Sequence, residues 1–130
     1  MIYLVDDDID DLEIIQDAFA QNEFIDAVIT LPNGKILMDK LLEDPEAKPD
    51  AILLDLHMPI KDGFEVLHEI KSHPLLRSIP VIVLTISENK EDELRCFQLG
   101  CNFYFTKPNS MQEYKSVMTV VKKITGKPTS

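Results

Sequence analysis

Apolar residues recur along this chain in two alternating modes: short unbroken runs, and longer stretches with spacings of three and four. Ile2–Val5 is an unbroken run stopped by Asp6-Asp7-Asp8, which reads as a strand buried on both faces. From Ile9 onward, Ile9, Leu12, Ile15, Ala18 and Phe19 form one helical stripe against a polar face of Asp10, Asp11, Glu13 and Asp17. The acids sit at the helix start, where the macrodipole favours them. Residues 27–29 make a weaker strand, expected at a sheet edge. Pro32-Asn33-Gly34 then breaks the chain before Ile36, Leu37, Leu41 and Leu42, which share helical spacing. The run Ala51–Leu54 ends at Asp55 and so repeats the first strand with its terminal carboxylate. Phe64, Val66, Leu67 and Ile70 carry a third helix that must stop before Pro74. Residues 79–84 read as the fourth strand, with Pro80 near its start and Thr85 at its end. Leu94, Cys96 and Phe97 line a fourth helix closed by Gly100, and residues 102–105 form a fifth strand leading to Lys107-Pro108. Tyr114, Val117, Met118, Val121 and Ile124 space a last helix.

Five strands alternating with five helices through short loops imply a parallel sheet covered on both faces by right-handed crossovers. At this length the natural solution is an α/β fold with a doubly wound five-stranded sheet, strand order 2-1-3-4-5, of the flavodoxin-like kind. The 130 residues fit one domain large enough to bury a core without disulfides or structural metal. Residues 1–125 are expected to form it, with 126–130 as a flexible tail.

Charge narrows the function. Thirteen Lys and Arg against 23 Asp and Glu leave a net charge of -10, which opposes approach to phosphate backbones or anionic lipid. Direct nucleic-acid binding is therefore not expected. No apolar run approaches the roughly 20 residues needed to cross a bilayer, and the N-terminus lacks the basic region of a signal peptide. A cytoplasmic location is expected, with Cys96 and Cys101 reduced and serving as buried small hydrophobes. His57, His68 and His73 share no ligand spacing.

In an open α/β sheet, ligands bind beyond the carboxyl ends of the strands at the switch point, here between strands one and three. Those strands end in Asp6-Asp7 and in Asp55, while strand four supplies the Thr85 hydroxyl and strand five the Lys107 amine at the same edge. At about 5 Å and an effective dielectric of about 20, a pair of carboxylates repels by about 3 kcal/mol, so a cation is the expected remedy. Oxygen donors without a second His or Cys suit Mg²⁺ or Mn²⁺ better than Zn²⁺. A metal and carboxylate facing a lysine describe a phosphoryl site, because phosphoryl transfer is mainly positioning and charge neutralisation.

Taken in order, strand-Asp6-Asp7, Leu54-Asp55-Leu56-His57-Met58-Pro59 with Asp62-Gly63, Leu84-Thr85, and Tyr104-Phe105-Thr106-Lys107-Pro108 resemble the receiver domain of two-component response regulators. The resemblance spans essentially the whole chain and is closest to the stand-alone, single-domain regulators of chemotaxis and bacterial phytochrome pathways. It implies that Asp55 is a phosphoacceptor, taking a phosphoryl group from a histidine kinase or a phosphotransfer protein. It implies that Asp7, Asp55 and the backbone carbonyl of His57 ligate Mg²⁺, with Asp6 acting through a coordinated water. Lys107 and Thr85 would contact phosphoryl oxygens, and Tyr104 matches an aromatic switch position that turns inward as Thr85 moves. The chain would then be a signalling phosphoacceptor and not an enzyme acting on other substrates. Its output would pass to a downstream protein through the face of the fourth helix, fifth strand and fifth helix, where a second copy of the chain is a further candidate partner. The family often has a cis Lys-Pro bond, which raises the expectation for Lys107-Pro108.

Ile86 departs from the family, which usually has a small residue after the Thr, and His57 and Ser87 hold the two variable positions that often set phosphoryl lifetime. Other readings fit less well. A calcium loop starting at Asp6 needs Gly where Asp11 stands. An aspartyl-phosphate phosphohydrolase needs a second Asp where His57 stands, and a flavin protein would place its phosphate against carboxylates. A degenerate receiver serving as a phosphorylation-independent interaction module remains the alternative, opposed by the joint presence of Asp6, Asp7, Asp55, Thr85 and Lys107.

Overall fold

The computed structural model describes residues 1–24 and 26–126, so residues 127–130 of the expected tail lie outside the described residues. Strands β1 (Ile2–Val5), β2 (Val28–Leu31), β3 (Ala51–Leu54), β4 (Val81–Thr85) and β5 (Phe103–Thr106) alternate with helices α1 (Ile9–Gln21), α2 (Gly34–Glu43), α3 (Gly63–Ser72), α4 (Lys90–Leu99) and α5 (Tyr114–Thr125). The strands form one sheet in the order β2-β1-β3-β4-β5, and every pairing is parallel, as the alternating pattern requires.

Each strand run divides its side chains between two cores. Tyr3, Val5, Ile52, Leu54, Val81 and Val83 face the layer of α2, α3 and α4, whereas Ile2, Leu4, Ala51, Leu53, Ile82 and Leu84 face α1 and α5. Both faces are covered, so the central strands are apolar at every position. The helices start on side-chain caps: Asp8 accepts from the amides of Asp10 and Asp11, Asn33 from Ile36, Asp62 from Glu65, and Asn89 from Glu91. Gly100 closes α4 at φ 104, a left-handed conformation that lets the Cys101 amide reach back to the Cys96 carbonyl at 3.0 Å. Both cysteines are buried and unbridged. No described helix is long and apolar enough to cross a membrane.

The structure corrects several boundaries. β2 runs to Leu31, which pairs with Val5 and is buried; β4 begins after Pro80; and β5 spans Phe103–Thr106. Helical spacing also overstated three apolar faces. Ile9 is 71% exposed, α2 buries Leu37, Met38 and Leu41 but leaves Ile36 and Leu42 out, and α4 buries Cys96 while Leu94 and Phe97 stand in solvent. Periodicity identifies a helix but not how far its neighbours reach around it. His73 caps the end of α3, where its Nδ1 accepts from the Leu75 amide. The described residues contain no cis peptide bond, so Lys107-Pro108 is trans, contrary to expectation. The extended pairing of β5 runs on through Lys107, whose amide donates to the Thr85 carbonyl at 2.6 Å.

Gly63 lets α3 begin against the strand end that carries Asp55. A Cβ there would stand 2.5 Å from the Asp55 carbonyl oxygen and 2.7 Å from Leu56 Cα, both backbone atoms that cannot swing aside. Gly63→Ala is expected to destabilise the fold by roughly 1–3 kcal/mol, the usual range for overpacking. Urea unfolding measures it, and a midpoint equal to that of the wild type would show that the loop yields freely.

Candidate functional site

Parallel register brings the sequence-selected residues together. Val5 pairs with Leu54, so the chain leaves β1 and β3 side by side, and the Asp55 amide donates to the Val5 carbonyl at 3.0 Å. Thr85 ends β4 beside Thr106 of β5, which places Lys107 at the same edge. Asp6 is 1% exposed, Asp55 6% and Thr85 0%, the buried polar residues of an otherwise apolar interior among the described residues. Asp7 is exposed at the rim.

The acids and the lysine line a crevice of about 340 Å³ together with Asp8, Asp11, His57 and Ile86. Lys107 Nζ lies 2.7 Å from Asp6 Oδ2, 2.6 Å from Asp11 Oδ2 and 3.9 Å from Asp55 Oδ2. One ammonium therefore serves three carboxylates. Burial pushes the Asp55 carboxyl up to about 6; the charge of Lys107 pulls it back and that of Asp6 adds to the rise. Burial likewise raises Asp6, against the opposing bond from Lys107. At Lys107 itself burial favours the neutral amine, but the bonds with Asp11 and Asp6 and the charge of Asp55 outweigh it and hold the ammonium charged.

Asp6, Asp7 and Asp55 each offer a carboxylate oxygen within 4.8 Å of the others. Asp55 Oδ1 is buried with no hydrogen-bond partner, an expensive state for a carboxylate oxygen and one that a cation would relieve. Hard oxygen donors with an open side toward solvent fit Mg²⁺ or Mn²⁺. The His57 imidazole lies 3.7 Å from Asp92 Oδ2 and does not join the three carboxylates, so only its backbone carbonyl is available for the ligand role read from sequence.

Thr85 is buried behind the crevice wall, and its Oγ1 accepts from the Ser87 amide at 3.3 Å, leaving its own proton free to donate. Tyr104 is half-buried and its hydroxyl donates to the Ser87 carbonyl at 3.2 Å, so its ring end is already turned against the loop after β4. Ile86 is 70% exposed at the crevice rim. Two contributors were not selected from sequence. Asp11 has a readable signal, its place one helical turn into α1 just after the acidic strand end. Asp92 has none, because an acid in the first turn of a helix is ordinary.

The family profile of the response regulator receiver domain matches residues 2–119. The chain is 38% identical over 117 residues to response regulator Rcp1 of Synechocystis sp., covering 87% of this chain and 80% of that protein. Among solved structures, the phosphorylated cyanobacterial phytochrome response regulator RcpA superposes with a TM-score of 0.83 at 38% identity, over 94% of this chain and 90% of that one. The Mn²⁺-bound form of response regulator Rcp1 superposes with a TM-score of 0.81 at 35% identity, over 94% and 91% of the two chains.

Proposed function

Because the chain belongs to the response regulator receiver family of two-component signalling, we propose that Asp55 is its phosphoacceptor, with Lys107 and Thr85 as the groups that receive the phosphoryl oxygens. The observation that carries this reading is the buried Asp55 carboxylate, which has one unpartnered oxygen, stands beside Lys107 and is grouped with Asp6 and Asp7. Receiver domains bind a divalent metal and interact with histidine kinases or phosphotransfer proteins. In this chain Asp7, Asp55 and the His57 carbonyl would hold Mg²⁺ or Mn²⁺, with Asp6 in support. The bound cation supplies neutralisation and orientation of the phosphoryl oxygens.

The protein's own residues do the rest. An Asp55 carboxylate oxygen forms the bond to phosphorus as the P–N bond of a phosphohistidine breaks, and the proton needed by the departing imidazole comes from solvent. Lys107, held charged by Asp6 and Asp11, balances the negative charge arriving at Asp55. The free hydroxyl proton of Thr85 donates to another phosphoryl oxygen. That movement is transmitted through Ser87 to Tyr104 and so to the α4-β5-α5 face, where a downstream protein or a second copy of the chain reads the change.

The test is intact mass after incubation with acetyl phosphate, with and without Mg²⁺. One phosphoryl adduct that requires the cation is expected. If acetyl phosphate gives no adduct and beryllofluoride does not bind, a phosphorylation-independent interaction module becomes the better reading.

Ile86 stands at the crevice rim with an exposed branched side chain in the path of approaching water. Ile86→Ala is expected to shorten the lifetime of the phosphoryl group by a few-fold, because a smaller rim excludes water less well. Following adduct decay by mass checks this, and an unchanged decay rate would remove Ile86 as a barrier.

A further inference from the structure

The loop between β4 and α4 is held through Ser87, whose polar groups are all engaged. Its amide donates to Thr85 Oγ1 at 3.3 Å, its carbonyl accepts from the Tyr104 hydroxyl at 3.2 Å, and its Oγ accepts from the Asn89 amide at 3.2 Å. The same Oγ donates to Asp92 Oδ2 at 2.7 Å, a short bond to a charged acceptor. Asp92, on the first turn of α4, is 24% exposed at its side chain, and the same oxygen faces His57 Nε2 at 3.7 Å. His57 in turn lies edge-on to Phe64, whose other contact is the Arg95 guanidinium at 4.0 Å from the ring centroid. One carboxylate on α4 thus meets both loops of the crevice, the one that follows Asp55 and the one that follows Thr85.

We propose that Asp92 is a positioning residue for the receiver reaction: by bonding Ser87 and facing His57, it clamps the β4–α4 loop in the geometry of the unphosphorylated protein and sets how readily a phosphoryl group is accommodated at Asp55. This rests on the reading of Asp55 as phosphoacceptor. The link runs through bonds on one short peptide. Thr85 cannot move toward Asp55 without disturbing the Ser87 amide that binds its oxygen, and Ser87 cannot follow while its hydroxyl stays on Asp92. The clamp therefore opposes the movement that the phosphoryl group drives, and α4, which carries Asp92, is tied to the state of the crevice by a side chain as well as by its loop.

The experiment measures beryllofluoride affinity, as a phosphoryl mimic with Mg²⁺ present, for wild type, Asp92→Ala, Asp92→Asn, Ser87→Ala and the Asp92→Ala/Ser87→Ala pair. Loss of a bond to a charged acceptor predicts about tenfold tighter binding for Asp92→Ala. Ser87→Ala should tighten binding similarly, and the pair should gain little more, because both remove the same bond. Asp92→Asn keeps an oxygen acceptor for the Ser87 hydroxyl and should return most of the way to wild type. Urea unfolding of each variant is the companion measurement. A purely structural Asp92 would lower the unfolding midpoint and leave the affinity unchanged, and that result, weaker binding, or additive effects of the two alanines would overturn the clamp. A wild type that binds no beryllofluoride would instead remove the phosphoacceptor reading, and the clamp with it.

Discussion

Asp55→Asn is expected to abolish the phosphoryl adduct completely while leaving the fold in place. The side chain keeps its size in a site that is 6% exposed, so packing against β1 and Gly63 is undisturbed. An amide carries no anionic oxygen, so it is a far poorer nucleophile and contributes less to binding a hard cation. Intact mass after acetyl phosphate and Mg²⁺ separates the outcomes. An adduct that survived the substitution would move the acceptor to a neighbouring acid, with Asp6 and Asp7 the nearest candidates in the crevice.

The same substitution is expected to stabilise the metal-free protein at neutral pH. The Asp55 carboxyl rises from 3.8 to about 6 on folding, chiefly through burial. Below its unfolded value the group is protonated in both states and no penalty exists. Between 3.8 and about 6 the folded chain holds a proton that the unfolded chain has released, so stability falls as pH rises through this window. Above it both states are ionised and the penalty is complete, about 3 kcal/mol for a rise of this size. The difference in unfolding free energy between Asp55→Asn and wild type should therefore grow in favour of the variant across that range. Adding Mg²⁺ at neutral pH should shrink it, because a ligand that binds only the folded wild type stabilises it. Urea unfolding at several pH values, with and without the cation, reads both effects. A difference independent of pH would mean that Asp55 is solvated as well in the folded protein as in the unfolded chain.

A site that destabilises its own fold is a usual price of chemistry, and here it explains which features were legible. Carboxylates at Asp6 and Asp55 make no sense as packing, directly after fully apolar strands, so they stand out in the sequence as candidate chemistry. Lys107 and Thr85 are ordinary residues by themselves. They became candidates because alternating elements imply a parallel sheet, and a parallel sheet gathers its strand ends at one edge. The five strands, five helices and their order followed from the same reasoning, since unbroken apolar runs of four or five residues are readable as strands covered on both faces.

What stayed hidden depended on distances across the fold. Ile9, Leu94 and Phe97 have helical spacing but stand at the margins of their helices' packing, and only the neighbouring elements decide that. The partners of Lys107 were not readable either, because Asp11 shares its ammonium from a residue 96 positions away in sequence. Nor was the meeting of Ser87, Asp92 and His57, which needs α4 set against the loops after β3 and β4. By itself, the sequence determined the periodicities, the caps, the excess of acid and the strand-end carboxylates, all of which are local or follow from sheet topology. Tertiary structure decided which groups pair, which are buried and how far Asp55 departs from an ordinary carboxyl, because Coulomb attraction, hydrogen bonding and desolvation act through separations in space that no spacing along the chain specifies.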